Sequence, residues 1–305
     1  MALKDIKSKI RSVNRTRQVT KAMEAVSAVK MRKGQARALS GRSYARAALS
    51  ILKRLAPGLA AVKHPLTEKR PAKRSALVII TSDKGLAGVL NAAVLKVATR
   101  CLETFNLPKE AVDVFAFGKK AAEYFERRGY ALKDRFDNIS DDVSIDDMEQ
   151  TARALVIGFT TGVYDRADIV YTNFKSTFEQ QAVLRRVLPL SFGAINDIVL
   201  GITPEKGMFA NGHDVTPPAF YTVEPSHEEV LDVLLPRLTS VILYHALLES
   251  KASEHSARMV AMKNASDKSR DLSKSLTRTF NKVRQAAITR EVSEIVGGIE
   301  AMSVR

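Results

Sequence analysis

At 305 residues, 45% hydrophobic and 27% charged, the chain is long enough to bury one ordinary domain core and to extend beyond it. No run of about 18 apolar residues occurs and the N-terminus leads directly into charged sequence, so we expect neither a membrane span nor a secretory signal. The single cysteine, Cys101, excludes an internal disulfide and a cysteine metal cluster, and we expect it to be buried and inert.

Positive charge is concentrated in the first quarter of the chain. Residues 1–75 hold 20 Lys and Arg against three acids, a net charge of +17, whereas residues 76–305 hold 28 basic and 30 acidic residues, a net charge of −2. Clustered Lys and Arg are what binding to nucleic-acid phosphates requires, but this stretch has one aromatic residue, Tyr44, and no nucleic-acid motif. A basic helix is equally attracted to an acidic protein surface or a membrane edge, so both kinds of partner stay open.

The first predicted element is a helix from Leu3 to about Leu55, which the Pro57-Gly58 pair is predicted to end. Apolar residues at helical spacing predict one seam along it, formed by Ile6, Ile10, Val13, Val19, Met23, Val26 and Met31. About 50 helical residues reach about 75 Å, roughly twice the width of an ordinary domain of this mass. A lone amphipathic helix of this length leaves its seam in water, so it needs a partner helix.

The middle of the chain predicts alternating strands and helices after a Pro- and Lys-rich linker at residues 63–74. The expected order is strand 76–81, turn 83–88, helix 89–105, strand 112–117, helix 119–128, helix 146–163, strand 168–174 and an antiparallel strand 181–188. This order is typical of a Rossmann-like, doubly wound α/β domain with some mixed strand pairing.

The predicted partner helix is the C-terminal stretch from about Ser226 to Met302, where Pro236 is the only proline. Its expected seam is Leu272, Leu276, Phe280, Val283, Ala287, Ile288, Val292, Ile295 and Ile299. We therefore predict a long antiparallel coiled coil, and two amphipathic helices of a compact bundle are the alternative. The predicted division is a coiled-coil helix at 1–57, a linker at 58–75, the α/β domain at 76–215 and the second coiled-coil helix at 216–305.

No catalytic, cofactor or metal site is predicted. The turn from Ser82 to Gly88 lies where an α/β fold places a phosphate-binding loop, but its residues match neither a P-loop nor GxGxxG, which favours a tight strand-to-helix connection. The histidines show no zinc-ligand spacing, so surface or helix-packing positions are expected. The acid pairs Asp141-Asp142 and Asp146-Asp147 precede a predicted helix, where we expect them to cap its N-terminus.

Four blocks of sequence resemble the gamma subunit of rotary, F-type ATP synthase of the bacterial type. They are IKSKIRSVNRTRQVTKAMEAVSAVKMRKGQ at 6–35, TSDKGLAGVLN at 81–91, ESKASEHSARMVAMKNASD at 249–267 and FNKVRQAAITREVSEIVGGIEAM at 280–302. Ala87 stands where the family usually has Cys, Val89 and Leu90 where it has Gly and Phe, and Phe280 where it has Tyr; we expect these four at packing positions.

The resemblance implies a non-catalytic rotor shaft. One copy would lie inside a ring of three alpha and three beta subunits, with its α/β domain meeting epsilon and the membrane ring of c subunits. Proton-driven rotation would then drive ATP synthesis on beta, from the cytoplasmic face of a bacterial inner membrane. The family's contact and coupling positions match Met23, Arg258, Arg284, Gln285, Thr289 and Glu291.

Two other classes remain as alternatives to a rotor shaft. One is a nucleic-acid-binding coiled-coil protein, which the basic first quarter favours. The other is a Rossmann-type enzyme with helical arms, for which a nucleotide would have to stabilise the isolated chain.

Overall fold

The computed structural model describes residues 3–59, 64–190 and 226–303. Its elements are α1 (Leu3–Leu59), β1 (Ser75–Ile80), α2 (Leu90–Phe105), β2 (Val112–Phe117), α3 (Lys119–Glu126), β3 (Ala131–Phe136), α4 (Asp146–Thr160), β4 (Arg166–Phe174), β5 (Gln180–Leu188) and α5 (His227–Ser303). They belong to two compact units, one of residues 1–27 and 259–305 and one of residues 28–258. Both α1 and α5 therefore contribute residues to each unit. The predicted boundary between residues 215 and 216 lies outside the described residues.

The unit of residues 28–258 is built on a five-stranded sheet in the order β3-β2-β1-β4-β5. The first four strands of this order are parallel, and β5 runs antiparallel to β4. A helix connects each consecutive pair of parallel strands, as a parallel crossover requires. The predicted α/β fold is confirmed, and the four predicted strands lie within two residues of their expected bounds.

Both faces of β1 are buried, because its alternate residues enter two separate cores. Ala76, Val78 and Ile80 face a core shared with α4 and the first part of α5. Leu77 and Ile79 face a second core shared with α2 and α3. A strand covered on both sides has a continuous apolar sequence, which is why this strand could be predicted.

The edge strand β3 is not predicted by the hydrophobic pattern. Its sequence ALKDRF is half charged, and its residues alternate between exposed and half-buried. It pairs in parallel with β2, so backbone hydrogen bonds rather than apolar burial define it. Charged residues on an edge strand also discourage pairing with other chains.

The unit of residues 1–27 and 259–305 is a pair of helices, as predicted. On α1 the least exposed positions recur at steps of three and four: Ile6, Ile10, Val13, Arg17, Thr20, Glu24 and Ser27. On α5 the corresponding positions are Met262, Ser266, Ser269, Ser273, Leu276, Phe280, Val283 and Ala287. Steps that average 3.5 residues define a coiled-coil seam.

The two helices run antiparallel in this unit. The hydroxyl of Ser273 donates a hydrogen bond to Asn14 Oδ1 at 2.8 Å. Eleven residues before Asn14 is Leu3, where α1 begins, and eleven residues after Ser273 is Arg284, near the end of the buried seam on α5. In an antiparallel pair these two positions lie side by side. Burial on α5 then ends at Ala287, as an antiparallel pair requires.

Several predicted seam positions are wrong. Val19 and Val26 are more than half exposed, since the 3.5-residue repeat places Thr20 and Ser27 in the seam and turns their neighbours away from it. Leu272 is likewise exposed beside the seam residue Ser273. Four predicted residues beyond Ala287 are exposed because α1 has no residue opposite them: Ile288, Val292, Ile295 and Ile299.

The two long helices extend further than their proline residues indicate. α1 ends at Leu59, so the predicted termination at Pro57-Gly58 is wrong by two residues, since a proline in the last turn removes only one backbone hydrogen bond. α5 contains Pro236. By length and composition alone α5 could cross a membrane, but its apolar section is mostly buried, with Leu231 and Leu235 in the core shared with α4.

Cys101 lies on α2 in the second core and is buried, as predicted. Burial, together with the nearby Asp168 carboxylate, raises the pKa of its thiol to about 12 against the opposing effect of Arg166 and Arg186. The thiol is therefore protonated at neutral pH, and a protonated thiol is a poor nucleophile.

Gly118 connects β2 to α3 at a position that admits no side chain. Its φ is +92°, and a Cβ atom added there would lie 2.2 Å from the carbonyl oxygen of Thr81. The Thr81 hydroxyl in turn accepts a hydrogen bond from the Ala121 amide at 2.9 Å. The end of β1 and the start of α3 are therefore held in contact across this glycine.

We expect Gly118→Ala to lower the free energy of unfolding of the full chain by about 2 kcal/mol or more, because it combines left-handed backbone strain with a steric clash. Gly129→Ala is the matched control, since its φ is +75° but no atom lies within 4 Å of the added Cβ; about 1 kcal/mol is expected there. Urea denaturation followed by tyrosine fluorescence measures both. Equal losses in the two variants would show that the contact with Thr81 is unimportant.

Candidate functional site

The turn between β1 and α2 is fixed by its own side chains. The Ser82 amide donates to Asn91 Oδ1 at 3.0 Å, and Asn91 Nδ2 donates to Ser82 Oγ at 2.7 Å. The Ser82 hydroxyl donates to the carbonyl of Lys84 at 2.6 Å, and Asp83 accepts from the Lys119 amide at 3.0 Å. The interpretation of this segment as a tight strand-to-helix connection is confirmed.

Arg258 joins this turn to α5. Its Nη2 donates to the carbonyl oxygens of Lys84 and Gly85 at 3.4 and 3.3 Å, and to Glu254 Oε1 at 2.7 Å. The side chains of Arg258 and Glu254 are each 10% exposed. Arg258 is thus a buried cation with several partners, and two of the sequence blocks that carry the family resemblance meet at it.

Three serines on α5 bind the β4–β5 hairpin and were not predicted. The Thr172 amide donates to Ser250 Oγ at 3.2 Å, and Ser253 Oγ donates to the Thr172 carbonyl at 3.3 Å. Ser256 Oγ donates to the carbonyl of Thr177 at 2.6 Å. The spacing of three residues between these serines in ESKASEHS was the available signal, since it places small hydroxyls on one helical face.

Exposed apolar side chains lie on the two loops that adjoin this part of α5. Leu86, in the turn that Arg258 contacts, has a φ of 64° and is 61% exposed. Val89, in the same turn, is 80% exposed, so its predicted packing position is wrong, whereas Ala87 and Leu90 are buried as expected. Phe178, next to Thr177 at the hairpin tip, is 79% exposed. Phe280, the fourth departure, is half-buried in the seam.

The other predicted contact residues lie in the unit of residues 1–27 and 259–305. Met23 is half-buried on α1 beside the seam residue Glu24, and Arg284, Gln285 and Thr289 are exposed on α5. The Thr289 hydroxyl donates to the Gln285 carbonyl of its own helix at 3.0 Å.

Glu291 is exposed on the following turn. The structure thus brings four of the six residues together on adjoining turns of α5: Arg284, Gln285, Thr289 and Glu291. Arg258 lies in the other unit, with the buried contacts described above.

These polar residues adjoin an apolar surface on the uncovered end of α5. We call it the terminal apolar surface; its members are Ile288, Val292, Ile295, Val296 and Ile299, all between 46% and 63% exposed. Five large aliphatic side chains on three turns of one helix are an unusual concentration for a solvent-facing surface, and such patches mark interaction sites.

One of the two predicted capping pairs is wrong. Asp147 does bond the Ser144 amide at the start of α4, at 2.7 Å. Asp141, however, accepts hydrogen bonds from Lys30 and His255, and Asp142 pairs with Arg37. Their position in the loop leaves these two carboxylates nearer the long helices than the end of α4. Among the residues that the structure describes, no group of three His, Cys, Asp or Glu side chains could hold a metal ion.

We expect Arg258→Ala to cost about 3 kcal/mol of folding free energy, because it leaves the buried Glu254 carboxylate without its cation. Arg270→Ala is the control, since Arg270 forms an exposed pair with Asp267 on the same helix and exposed pairs contribute about 0.5 kcal/mol. In a double-mutant cycle with Glu254→Ala, urea denaturation should give a coupling energy above about 1.5 kcal/mol. Additive losses would contradict the pairing.

The chain matches known proteins over almost its whole length. The family model described as ATP synthase matches residues 2–302. A chain of the Tetrahymena thermophila mitochondrial ATP synthase central stalk and c-ring is 26% identical, with a TM-score of 0.57, over 81% of this chain and 99% of that chain.

Two Euglena gracilis mitochondrial structures share the fold at 19% identity. A rotor chain has a TM-score of 0.62 over 94% of this chain and 98% of its own, and a chain from the OSCP/F1/c-ring assembly has a TM-score of 0.64 over 98% and 94%. With the two-helix pair, the five-stranded sheet and the four sequence blocks in place, the chain belongs to the gamma subunit family of ATP synthase, as its central rotor shaft.

Proposed function

We propose that this shaft couples rotation of a membrane c-ring, driven by protons, to ATP synthesis and hydrolysis on beta subunits, without a catalytic site of its own. One copy binds three alpha and three beta subunits through its paired helices, and meets epsilon and the c-ring through the α/β domain. The complex lies on the cytoplasmic face of a bacterial inner membrane. The structural neighbours support the general partnership, since their own descriptions name the central stalk, F1 and the c-ring.

The terminal apolar surface is the observation that carries this proposal. An isolated chain leaves about half of each of these aliphatic side chains in water, and covering the remainder would contribute about half of the roughly 1.5–3 kcal/mol that full burial of such a side chain provides. A sleeve of alpha and beta subunits around the end of α5 would provide that burial. Ile288, Val292, Ile295 and Ile299 follow one another at steps of four, three and four residues, so they share the helical face that the sleeve would enclose.

The six predicted residues are proposed to act in two ways. Arg284, Gln285 and Thr289 are exposed around the terminal apolar surface, where they can form polar contacts with beta as the shaft turns. Met23 and Glu291 contribute to the same contact zone. Arg258 acts from inside the α/β unit, where it holds the turn of residues 82–89 against α5.

The basic first quarter is proposed to assist assembly by attraction to acidic surfaces of beta and to the anionic membrane face. This explanation predicts that assembly weakens as salt is raised, because salt screens exposed charges beyond about 8–10 Å.

The domain division proposed for the shaft is the predicted one, with helices at 1–57 and 216–305, a linker at 58–75 and the α/β domain at 76–215.

We expect the purified full chain to assemble with alpha and beta subunits at about 0.15 M salt. Native mass spectrometry should give one copy with three alpha and three beta subunits, and ATPase activity should appear on assembly. Failure to assemble while all partners are folded would overturn the proposal. Binding to duplex DNA with a steep salt dependence would then favour the nucleic-acid alternative.

Val292→Glu combined with Ile295→Glu should prevent this assembly and leave the isolated chain folded. Both residues are exposed, so the free energy of unfolding should change by no more than about 0.5 kcal/mol, whereas burying two new carboxylates in an apolar sleeve is costly. Ser293→Glu, which adds a carboxylate between them at another exposed position, is the control and should still assemble. Normal assembly of the double variant would show that this surface is not enclosed.

The polar residues beside this surface should affect coupling rather than folding. Arg284→Ala and Gln285→Ala should leave the stability of the isolated chain within about 0.5 kcal/mol of wild type, because both side chains are exposed. In reconstituted vesicles, the rate of ATP-driven proton pumping should fall by several fold. Lys282 is another exposed residue of the same helix, and Lys282→Ala should change neither the stability nor the pumping rate. An equal loss of pumping in this variant would show that Arg284 and Gln285 have no special role.

A further inference from the structure

The loop between β3 and α4 contacts both long helices through one carboxylate. Asp141 Oδ2 accepts a hydrogen bond from Lys30 Nζ on α1 at 2.6 Å. Its other oxygen, Oδ1, accepts from His255 Nε2 on α5 at 2.8 Å. Asp141 is more than 100 residues from either partner along the chain, so this contact joins three separate segments of the unit of residues 28–258.

The backbone of the same loop is bound from both helices as well. Arg37 Nη1 on α1 donates to the Asp141 carbonyl at 2.8 Å. Lys251 Nζ on α5 donates to the carbonyl of Ile139 at 2.8 Å, and the Tyr244 hydroxyl lies 3.5 Å from the carbonyl of Val143. We call residues 139–143 the bridging loop, since all of its residues except Ser140 are bonded by side chains of the long helices.

The charges at the bridging loop are arranged to keep Asp141 ionised. Burial acts to raise the pKa of its carboxyl, but hydrogen bonds from Lys30 and His255 and the charge of Lys251 hold that pKa at about 2. Burial lowers the pKa of His255 even though the Asp141 carboxylate acts to raise it, and the ring Nε2–H donates to the ionised carboxylate. Hydrogen bonds to an ionised acceptor are roughly twice as strong as neutral ones.

The two helices also approach each other closely beside the bridging loop. A Cβ atom on Gly34 would lie 3.3 Å from the Cα atom of Ala252. Small residues at this level let α1 and α5 pack backbone to backbone. The bridging loop is therefore bonded to a tightly packed helix pair rather than to two independent segments.

Apolar packing and hydrogen bonds resist different motions. Apolar burial depends on the area removed from water and has no preferred direction, so it opposes separation of two elements more than it opposes sliding. Hydrogen bonds weaken steeply as their distance and angle change, so they oppose sliding as well. A rotor under load must resist slip between its α/β domain and its helices.

We propose that Asp141 is a torque-bearing residue, which locks the α/β domain to both long helices so that the three turn as one body. This inference rests on the proposed coupling function. It assigns a mechanical role to a residue outside the terminal apolar surface and outside the contacts of Arg258. A rotor lacking this contact would still assemble, but it would twist internally under load.

The test uses the complete ATP synthase carrying Asp141→Ala or the isosteric Asp141→Asn. Glu149→Gln is the matched control, because Glu149 forms an exposed pair with Arg153 on α4. In reconstituted vesicles, protons pumped per ATP hydrolysed should fall at least threefold in the alanine variant and by less in the asparagine variant. The torsional stiffness of the rotor, measured from fluctuations of a bead fixed to the α/β domain, should fall in the same order.

The outcomes separate this inference from the function on which it rests. If the wild-type chain fails to assemble with alpha and beta, the proposed function fails. If assembled Asp141→Ala complexes show the wild-type pumping ratio and stiffness, only the torque-bearing role is overturned. A residue that serves stability alone would lower the yield of complexes but leave both quantities unchanged in those that form. Should the alanine variant not fold, the asparagine variant decides the outcome by the same two measurements.

Discussion

The structure depends on the need of two long helices to cover each other's seams. In the unit of residues 1–27 and 259–305 there is no sheet among the described residues, so each helix is the other's apolar partner. The 3.5-residue repeat has to be maintained for that contact to continue. Polar residues such as Thr20, Ser27 and Ser273 therefore occupy seam positions, and good aliphatic side chains are left facing outward.

The helix α5 meets different demands along its length. Its first part buries leucines against the sheet, as any core helix does. Around residues 250–258 it changes to serines, a histidine and a buried ion pair, which bond defined backbone groups of neighbouring loops. Apolar burial supplies most of the stability, whereas the polar contacts fix position. A subunit whose task is mechanical needs both.

Much of the fold could be predicted because burial leaves a strong pattern. β1 and β2 are buried on both faces and have apolar sequences, and the long helices contain few breakers. β3 could not be predicted, since an edge strand with Lys133, Asp134 and Arg135 has no apolar pattern. The prediction of the seam on α1 is partly wrong because it considered only apolar residues and so included Val19 and Val26. The geometry of the paired helices instead places Thr20 and Ser27 in the seam, whatever their polarity.

The candidate site was less accessible to sequence reasoning. Exposed positions such as Arg284 and Gln285 came from a resemblance, and nothing in local pattern distinguishes them from ordinary surface residues. The turn that Arg258 contacts and the helix residues that Asp141 contacts are more than 100 residues away in sequence. Asp141 precedes a helix in the sequence, a position that predicts helix capping. Only the tertiary fold shows that its partners are Lys30 and His255.

The buried state of Cys101 makes this chain naturally suited to site-specific chemistry. Because burial raises its pKa to about 12, the thiol stays protonated at neutral pH, and the thiolate is the form that reacts with maleimides or disulfides. A cysteine introduced at an exposed position such as Phe178 would thus be the single reactive thiol. Fluorophores, beads or spin labels can be attached to the native background without first removing a cysteine.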